Sequence, residues 1–425
     1  MITPPPPGAV LQSQKDIGFR EFVVLSACLM AMNALSTDPM LPALPDIGRD
    51  LGVTNANDRQ LIISIYFLGL GAGSLLFGIL SDRFGRKRVM GSALVLFILS
   101  TIACAVAQSF PLLLVGRASA GFFAGASRVI AVSVIRDRFK GDAMAKVMSL
   151  ILAVFMLIPV MAPSFGQVIL WFAPWRWIFW ILAIQAAIIL IWMVIRMPET
   201  LAPENRLRMS PSTIFRTIGS VLTNRTAAGY MLASGVVMSG LIGFLLSVQQ
   251  IFFDIFDAQS FFPIAFAIMA GSMGVGSLLN SRLVSRFGAR RLSQGAVISM
   301  IVTNAIHLGV IMSGHENMIS FMIFQSAAMM AVAFTASNFG AISMEPFAKG
   351  AGAASSFQAF LTTALSSALG SIVGRAFDGT TLPLTFGMVI FGVAALLIVA
   401  FAERGQLFTR RHHDALREVD FDSVH

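Results

Sequence analysis

Three charged residues lie inside long apolar segments of this sequence, where a charge is energetically expensive and is therefore a candidate for function. Asp38 lies near the end of the first apolar run, and Arg117 and Arg128 both lie in the fourth. A carboxylate in such low-dielectric surroundings can take a proton from the outer side of a membrane and release it inward. The alternative is that Asp38 sits at the outer interface, or caps a helix broken by Pro39.

The two arginines are separated by eleven residues, close to three helical turns, so they share one helix face about 16 Å apart. Lipid rejects such a pair, so this face should line a polar or water-filled interior. We expect Arg117 to be the electrostatic partner of Asp38 or of an acidic substrate group, with snorkelling to the outer interface as the alternative. Arg128 lies deeper and is harder to explain by snorkelling.

A second group of charged residues fills the short link from Gly78 to Arg88, between two apolar runs. A turn this basic should remain on the cytoplasmic side of a membrane. The pattern returns in weaker form from Ser281 to Arg291. This repetition predicts that the protein consists of two similar halves.

The elements that must position these residues are membrane-spanning helices. The chain is 56% hydrophobic and only 12% charged, against about 25% charged residues in soluble proteins. We therefore predict an all-α membrane protein with twelve transmembrane helices in two pseudo-symmetric six-helix bundles. The predicted spans are 21–42, 60–81, 89–107, 110–134, 145–170, 175–196, 227–253, 262–281, 292–313, 318–343, 351–375 and 382–402.

The positive charges predict the orientation of these spans. Of the 30 Lys and Arg residues, four fall in predicted outer links and two within a span, and the others fall on the inner side. The four outer residues are Arg49, Arg59, Arg176 and Arg375. We predict a cytoplasmic tail (1–20), an N-terminal bundle (21–196), a central cytoplasmic loop (197–226), a C-terminal bundle (227–403) and a second cytoplasmic tail (404–425).

Other classes of function find little support in the sequence. The net charge of +9 follows from topology and does not indicate nucleic-acid binding. The two cysteines, Cys28 and Cys104, lie in apolar runs and are interpreted as packing residues. No phosphate-binding loop, nucleophile elbow or metal-ligand spacing occurs, so we predict no enzyme activity, cofactor or metal. The Pro-rich N-terminus is interpreted as a tail and not as a cleavable signal peptide.

Several further residues are candidates for a substrate cavity or for helix packing. Pro159 and Pro163 should kink or loosen the fifth span, and Gly166 should allow close approach of another helix. Small residues crowd the eleventh span, so the fifth and eleventh spans are candidates for the contact between halves. The predicted cavity residues are Asn33, Asp38, Tyr66, Arg117, Arg128, Met156, Gln249, Asn338 and Gln358.

The link from Gly78 to Arg88 resembles the signature loop of the major facilitator superfamily. Within this chain, Ser36-Thr37-Asp38 and the following Leu41 to Pro45 are similar to the first helix of the Bcr/CflA group of drug:proton antiporters. Arg117 opens a segment that resembles the fourth-helix motif of that group, and Pro159 to Gly166 resembles its fifth-helix motif.

This resemblance implies alternating access by two bundles that rock about a central site. The family pattern assigns proton coupling to Asp38 and Arg117. It also implies a cytoplasmic charge cluster of Asp82, Arg86 and Asp137, which would act as a gate or conformational lock together with Gly78, Arg83 and Gly85. We expect this cluster to close the inner side against the start of the eleventh helix and to favour the outward-open state.

The sequence also departs from the family pattern. Relatives usually carry Gln where this chain has Ala120, and Arg128 is not part of the pattern. Arg128 makes the cavity more positive and favours neutral, zwitterionic or anionic substrates. In the second copy of the loop, Ser285 replaces the aspartate, so we expect only the N-terminal copy to form an acidic cluster.

Together with this resemblance, the sequence predicts a bacterial inner-membrane exporter of drugs or drug-like molecules, driven by proton antiport and acting as a monomer. Its partners would be a small-molecule substrate, protons and the lipid bilayer. One alternative is a dedicated exporter of a single metabolite, such as an amino acid or a sugar. Another is a membrane sensor without transport, which the short tails argue against.

Overall fold

The computed structural model of the chain describes residues 17–139, 141–201, 219–347 and 351–408. The chain divides into two units, Met1–Phe215 and Arg216–His425. This division lies inside the predicted central loop, 197–226. Much of that loop, the first sixteen residues and the last seventeen lie outside the described residues.

The first unit is built from helices, and no strand occurs in its described part. Its elements are α1 (Phe19–Leu35), a 3₁₀-helix (Asp38–Ala43), α2 (Leu44–Asp50), a second 3₁₀-helix (Ala56–Gln60), α3 (Leu61–Phe84), α4 (Arg86–Ala105), α5 (Phe110–Arg138), α6 (Gly141–Phe172) and α7 (Arg176–Arg196).

The second unit is likewise helical throughout its described residues. Its elements are α8 (Arg225–Gln250), which continues as a π-helical turn (Ile251–Ile255), then α9 (Phe262–Phe287), α10 (Ala289–Met312), α11 (Met318–Met344), α12 (Ala351–Arg375) and α13 (Leu382–Ala402).

The helices have the length and composition of membrane spans. Within the described residues, eleven helical segments are long and apolar enough to cross a membrane, and a shorter apolar segment, Val160–Phe172, belongs to α6. The predicted all-α membrane fold is therefore confirmed. The first predicted span, 21–42, differs most from the structure, because α1 ends at Leu35.

The two units repeat one pattern of helix contacts. In the first, α3 packs on α5, α4 packs on α5 and α7, and α1 packs on α5, α6 and α7. In the second, α9 packs on α11, α10 packs on α11 and α13, and α8 packs on α11, α12 and α13. Corresponding helices thus meet in both halves, as the repeated loop motif predicts.

In each half, a glycine with positive φ joins the two helices of the repeated loop motif. Gly85 joins α3 to α4 with φ of 101°, and Gly288 joins α9 to α10 with φ of 82°. L-residues with a side chain rarely adopt these values. The arginine that follows each turn, Arg86 or the nearby Arg290, is thereby placed at the start of the next helix.

Candidate functional site

Asp38 lies where the first helix breaks. After α1 ends at Leu35, a 3₁₀-helix begins at Asp38 itself and includes Pro39 and Pro42. Proline has no backbone N–H, which accounts for the interruption of the α-helix. The helix does break here, as the alternative for Asp38 expected, but the residue is only 5% exposed. Its Oδ1 atom accepts a hydrogen bond of 2.9 Å from the Thr37 hydroxyl.

Helix α6 packs directly on this break. A Cβ atom added to Gly166 would lie 2.0 Å from the Pro39 carbonyl oxygen, so the approach requires glycine at this position. Pro163 is buried nearby on the same helix. Pro159 also lies within α6, but its side chain is outside the described residues. The kink predicted at these prolines stays a prediction.

Arg117 lies in α5 and is 2% exposed. Its Nε atom donates a 3.0 Å hydrogen bond to the Ile62 carbonyl oxygen, and its guanidinium carbon lies 4.2 Å from the centre of the Tyr66 ring. Its Nη2 atom is buried and has no hydrogen-bond partner among the described residues. Within the described part of the chain, no ion pair joins Arg117 to Asp38, so any electrostatic coupling between them must act without direct contact.

Tyr66 connects Arg117 to the first helix. Its hydroxyl donates to Asn33 Oδ1 at 3.4 Å, and Asn33 Nδ2 donates to the Ser127 hydroxyl at 3.3 Å. These bonds join α3, α1 and α5. We name Asn33, Tyr66, Arg117 and Ser127 the interior polar network. Sequence reasoning missed Ser127, because a serine in an apolar helix commonly donates to a carbonyl oxygen of the preceding turn and to no other helix. Ser127 makes this local bond as well, to the Ala124 carbonyl oxygen.

Arg128 has different surroundings from Arg117. It is exposed, and it makes no hydrogen bond or ion pair with the residues that the structure describes. It lies next to Ser127 and therefore at the level of the interior polar network. Met156, predicted to line the same cavity, has a side chain outside the described residues.

The remaining cavity candidates lie in the second unit. Gln249 is 2% exposed and Asn338 is 3% exposed. Asn338 Nδ2 donates a 2.7 Å hydrogen bond to Asn280 Oδ1, which joins α11 to α9. Gln358 is half-buried on α12. Sequence reasoning missed Asn280, although an amide in an apolar helix is a recognisable signal.

The predicted cytoplasmic ends of the first-unit helices carry a charge cluster, which we name the N-half inner cluster: Asp82, Arg86 and Asp137. Arg86 is 4% exposed. It pairs with Asp82 through Nη1 and with Asp137 through Nε, the latter at 3.1 Å. The Ser81 hydroxyl also accepts a 2.7 Å hydrogen bond from Arg86, and itself bonds to the Gly78 carbonyl oxygen.

Two features near this cluster bear on its predicted role. Arg83 is exposed and lies over the Phe84 ring, 5.1 Å from its centre, so it is not a member of the cluster. The predicted contact with the start of the eleventh helix involves residues 348–353, whose side chains lie outside the described residues. The gate function therefore stays a prediction.

Sequence reasoning missed Glu199, just beyond α7. Its two carboxylate oxygens accept hydrogen bonds from the backbone N–H groups of Arg86 and Lys87, at 2.8 and 3.2 Å. Free N–H groups and the helix dipole make a helix N-terminus favourable for a carboxylate. The available signal was an acid directly after the last apolar span of the first half.

The second half also has an acidic cluster, so the expectation that only the N-terminal copy forms one is wrong. Arg290 donates to Glu345 at 3.1 and 2.8 Å and to Glu403 Oε1 at 2.8 Å. We name Arg290, Glu345 and Glu403 the C-half inner cluster. Ser285 does not prevent it, because both acids come from the ends of other helices, α11 and α13.

Comparison with known proteins is consistent with this architecture. The chain is 29% identical over 383 residues to an uncharacterized MFS-type transporter, YdgK, of Bacillus subtilis, covering 89% of this chain and 93% of that protein. It is 26% identical over 397 residues to a bicyclomycin resistance protein homolog of Haemophilus influenzae, covering 92% and 98%. A crystal structure of a D-xylose-proton symporter shares the fold, with a TM-score of 0.70, 15% identity and coverage of 91% and 99%.

The family model described as Major Facilitator Superfamily matches residues 25–371. This range includes the link from Gly78 to Arg88, both inner-cluster arginines and the break at Asp38. With most of its length matched in this way, the chain belongs to the major facilitator superfamily, as its loop motif predicts.

Proposed function

We propose that this protein exports drugs or drug-like molecules from a bacterial cell in exchange for protons. As a superfamily member it is a multi-pass membrane transporter. The similarity to a bicyclomycin resistance protein homolog supports a drug as the substrate. The proposal places the protein in the inner membrane as a monomer, with both termini cytoplasmic and the five segments predicted from the sequence. Transport proceeds by alternating access.

The observation that carries the proposal is the buried carboxylate of Asp38 at the break in the first helix. Its described hydrogen-bond partner is one hydroxyl, and it has no ion pair with the described residues. A negative charge in such a place must be balanced. A proton can balance it, and so can a cationic group of a substrate. Because the site cannot hold both at once, their competition supplies the basis of exchange.

We assign Arg117 the role of electrostatic partner to Asp38, acting through Tyr66. Arg117 covers the Tyr66 ring, and the Tyr66 hydroxyl contacts Asn33 on the same helix that leads to Asp38. A charge change at Asp38 would therefore act on a network that joins three helices. We further assign the N-half inner cluster, with Gly78 and Gly85, the role of a conformational lock at the cytoplasmic side.

The test is proton exchange by the full chain in liposomes. Ethidium, a permanent cation, is added to vesicles that contain a pH-sensitive dye, and proton movement is followed. The wild type should exchange ethidium for protons, and Asp38→Asn should abolish exchange while the protein remains folded by circular dichroism. Asp46→Asn is the matched control, because Asp46 lies in α2 and pairs with Arg49 on the surface. Full exchange by Asp38→Asn would exclude Asp38 as the proton carrier.

A further inference from the structure

Arg128 occupies a position that helix packing alone does not explain. It lies 18 residues after the start of α5 and 10 before its end, about 27 Å and 15 Å along the axis. This depth is within the apolar part of the span. A guanidinium exposed to lipid at such a depth costs several kcal/mol. Since Arg128 is exposed, its surroundings must be polar, as in a water-filled cavity.

Three buried or partly buried arginines of the first half have partners, whereas Arg128 has none among the described residues. Arg86 pairs with two aspartates, Arg196 pairs with Glu21 at 2.6 Å, and Arg117 bonds to a backbone carbonyl and covers Tyr66. Arg128 has no hydrogen bond or ion pair with any described residue. Its N–H groups donate to none of the described side chains or carbonyls, and a ligand can accept hydrogen bonds from them.

The charges in the interior of this half do not balance. Away from the helix ends, the described interior holds one carboxylate, Asp38, and two guanidiniums, Arg117 and Arg128. The excess is one positive charge when Asp38 is ionised and two when it carries a proton. An anionic group bound at Arg128 would reduce this excess, and guanidinium–carboxylate pairs are among the strongest hydrogen-bonded contacts.

Exchange for protons limits which anionic substrates the protein can export. A purely anionic substrate would bind more tightly when Asp38 is protonated, so substrate and proton would travel together. Exchange requires instead that the substrate competes with the proton, which a cationic group near Asp38 does. A zwitterionic substrate meets both conditions. This step rests on the function proposed above.

The two charged residues lie at neighbouring levels of the fold. Asn33 donates to Ser127, so position 127 of α5 is level with position 33 of α1. Asp38 lies five residues further along, about 7–10 Å towards the outer side. The side chain of a helical residue leans towards the helix N-terminus, which for α5 is the same outer side. Arg128 therefore extends towards the level of Asp38.

We propose that Arg128 is the anion-binding residue of the transport site, and that the preferred substrate is a zwitterionic amphiphile. The cationic group of the substrate lies at Asp38 and its carboxylate at Arg128, with the two charges on the order of 10 Å apart.

The experiment uses the full chain in liposomes and a matched pair of probes: a zwitterionic quinolone with a carboxylate and a protonated amine, and its methyl ester, which is a monocation. The wild type should prefer the zwitterion by on the order of tenfold in exchange flux, which corresponds to about 1.4 kcal/mol. Arg128→Gln should abolish or reverse this preference, and Arg128→Lys should retain most of it.

Arg136→Gln is the matched control, because Arg136 is an exposed arginine near the inner end of the same helix. It should keep the wild-type ratio. An unchanged ratio in Arg128→Gln, with the ester still exchanged for protons, would overturn the anion site and leave proton antiport standing. Absence of proton movement with either probe in folded wild type would overturn the proposed function itself.

A second measurement uses only the wild-type protein, so it does not depend on whether a variant folds. The affinity of the wild-type protein for the two probes is measured by tryptophan fluorescence quenching at fixed pH. Tighter binding of the zwitterion supports the inference, and equal or weaker binding overturns it.

Discussion

Each inner cluster is centred on an arginine in the first turn of the helix that follows a glycine, but the arginine is one residue after Gly85 in the first half and two residues after Gly288 in the second. The two arginines also recruit their acids differently. Arg86 takes one partner, Asp82, from the last turn of the preceding helix α3, and one, Asp137, from the end of α5. Arg290 takes both partners from the ends of other helices. The shared element is the cation fixed after a glycine turn, and the acids can come from any helix end within reach.

The clusters also differ in burial. The side chains of Asp82 and Asp137 are 17% and 18% exposed, so water reaches both. The Glu403 side chain is 1% exposed and also accepts a 3.0 Å hydrogen bond from the Tyr230 hydroxyl. The C-half inner cluster therefore combines one fully buried acid, Glu403, with one half-exposed acid, Glu345, whose side chain is 50% exposed. Both acids of the N-half inner cluster are partly exposed.

The interiors of the two halves differ in charge. The first half holds Asp38, Arg117 and Arg128, whereas the cavity candidates of the second half are neutral amides. Of these, Asn338 is paired with Asn280. In the proposed function, the first half therefore handles both the proton and the charge of the substrate.

The largest effect should come from removing Arg290, because its partner Glu403 is the most buried acid of the two clusters. Arg290→Gln leaves the Glu403 carboxylate buried without its cation, and breaking a buried pair in this way costs about 3–5 kcal/mol. Arg86→Gln should cost less, about 1–3 kcal/mol, because water can solvate its two acids. Thermal unfolding of the purified proteins in detergent, followed by circular dichroism, measures both.

Arg291→Gln is the matched control for this prediction, because Arg291 is the exposed neighbour of Arg290. It should unfold close to the wild-type temperature. The double variant Arg290→Gln/Glu403→Gln should recover part of the loss, since no carboxylate then remains buried at position 403. A larger loss for Arg86→Gln than for Arg290→Gln would show that burial does not distinguish the clusters.

Much of the fold could be predicted from the sequence, because an apolar run of about 20 residues is enough to predict a membrane-spanning helix. The last span was predicted as 382–402, and α13 is Leu382–Ala402. The first span was predicted as continuous to 42 but ends at Leu35. Its prolines signalled a break, but they could not show that the following turn would be buried against Gly166 of α6.

The candidate site was predictable only in part, because side-chain partners depend on tertiary contacts. The charged residues in spans and the loop motif identified Asp38, Arg117 and Arg86. The partners of Arg290 could not be found from spacing, since Glu345 and Glu403 lie far along the chain from it. Likewise, the position of Arg117 over Tyr66 requires the close packing of α3 on α5 at Gly121, which no local pattern specifies.

A second prediction compares corresponding helix contacts of the two halves. Gly166→Ala places a methyl group 2.0 Å from the Pro39 carbonyl oxygen, and backbone cannot move aside as a side chain can. We expect a loss of about 1–3 kcal/mol in stability, as for other overpacked sites. Exchange should also weaken, because Asp38 precedes Pro39.

The comparison variant is Gly235→Ala in α8. The added methyl group there would lie 2.9 Å from Leu365 Cδ2, the end of a flexible side chain on α12. Rotation of Leu365 can relieve this contact, and alanine favours a helix over glycine by about 1 kcal/mol. We expect less than about 1 kcal/mol of change and full exchange. Equal losses in the two variants would show that the added volume destabilises both sites, and that the backbone contact at Gly166 has no special effect.

The smallest effect should come from removing Glu199, which caps the start of α4. The start of the corresponding helix in the second half, α10, has no such cap among the described residues. Glu199 bonds to the N–H groups of Arg86 and Lys87, whereas the start of α10 at Gly288 has no side-chain cap among the described residues. Glu199→Ala should cost about 0.5–1 kcal/mol. Amide hydrogen exchange at Arg86 and Lys87 should accelerate, and exchange at Arg290 and Arg291 should not change. If all four amides exchange at the wild-type rate, Glu199 does not stabilise the start of α4, and the inner ends of the two halves differ only in how deeply their acids are buried.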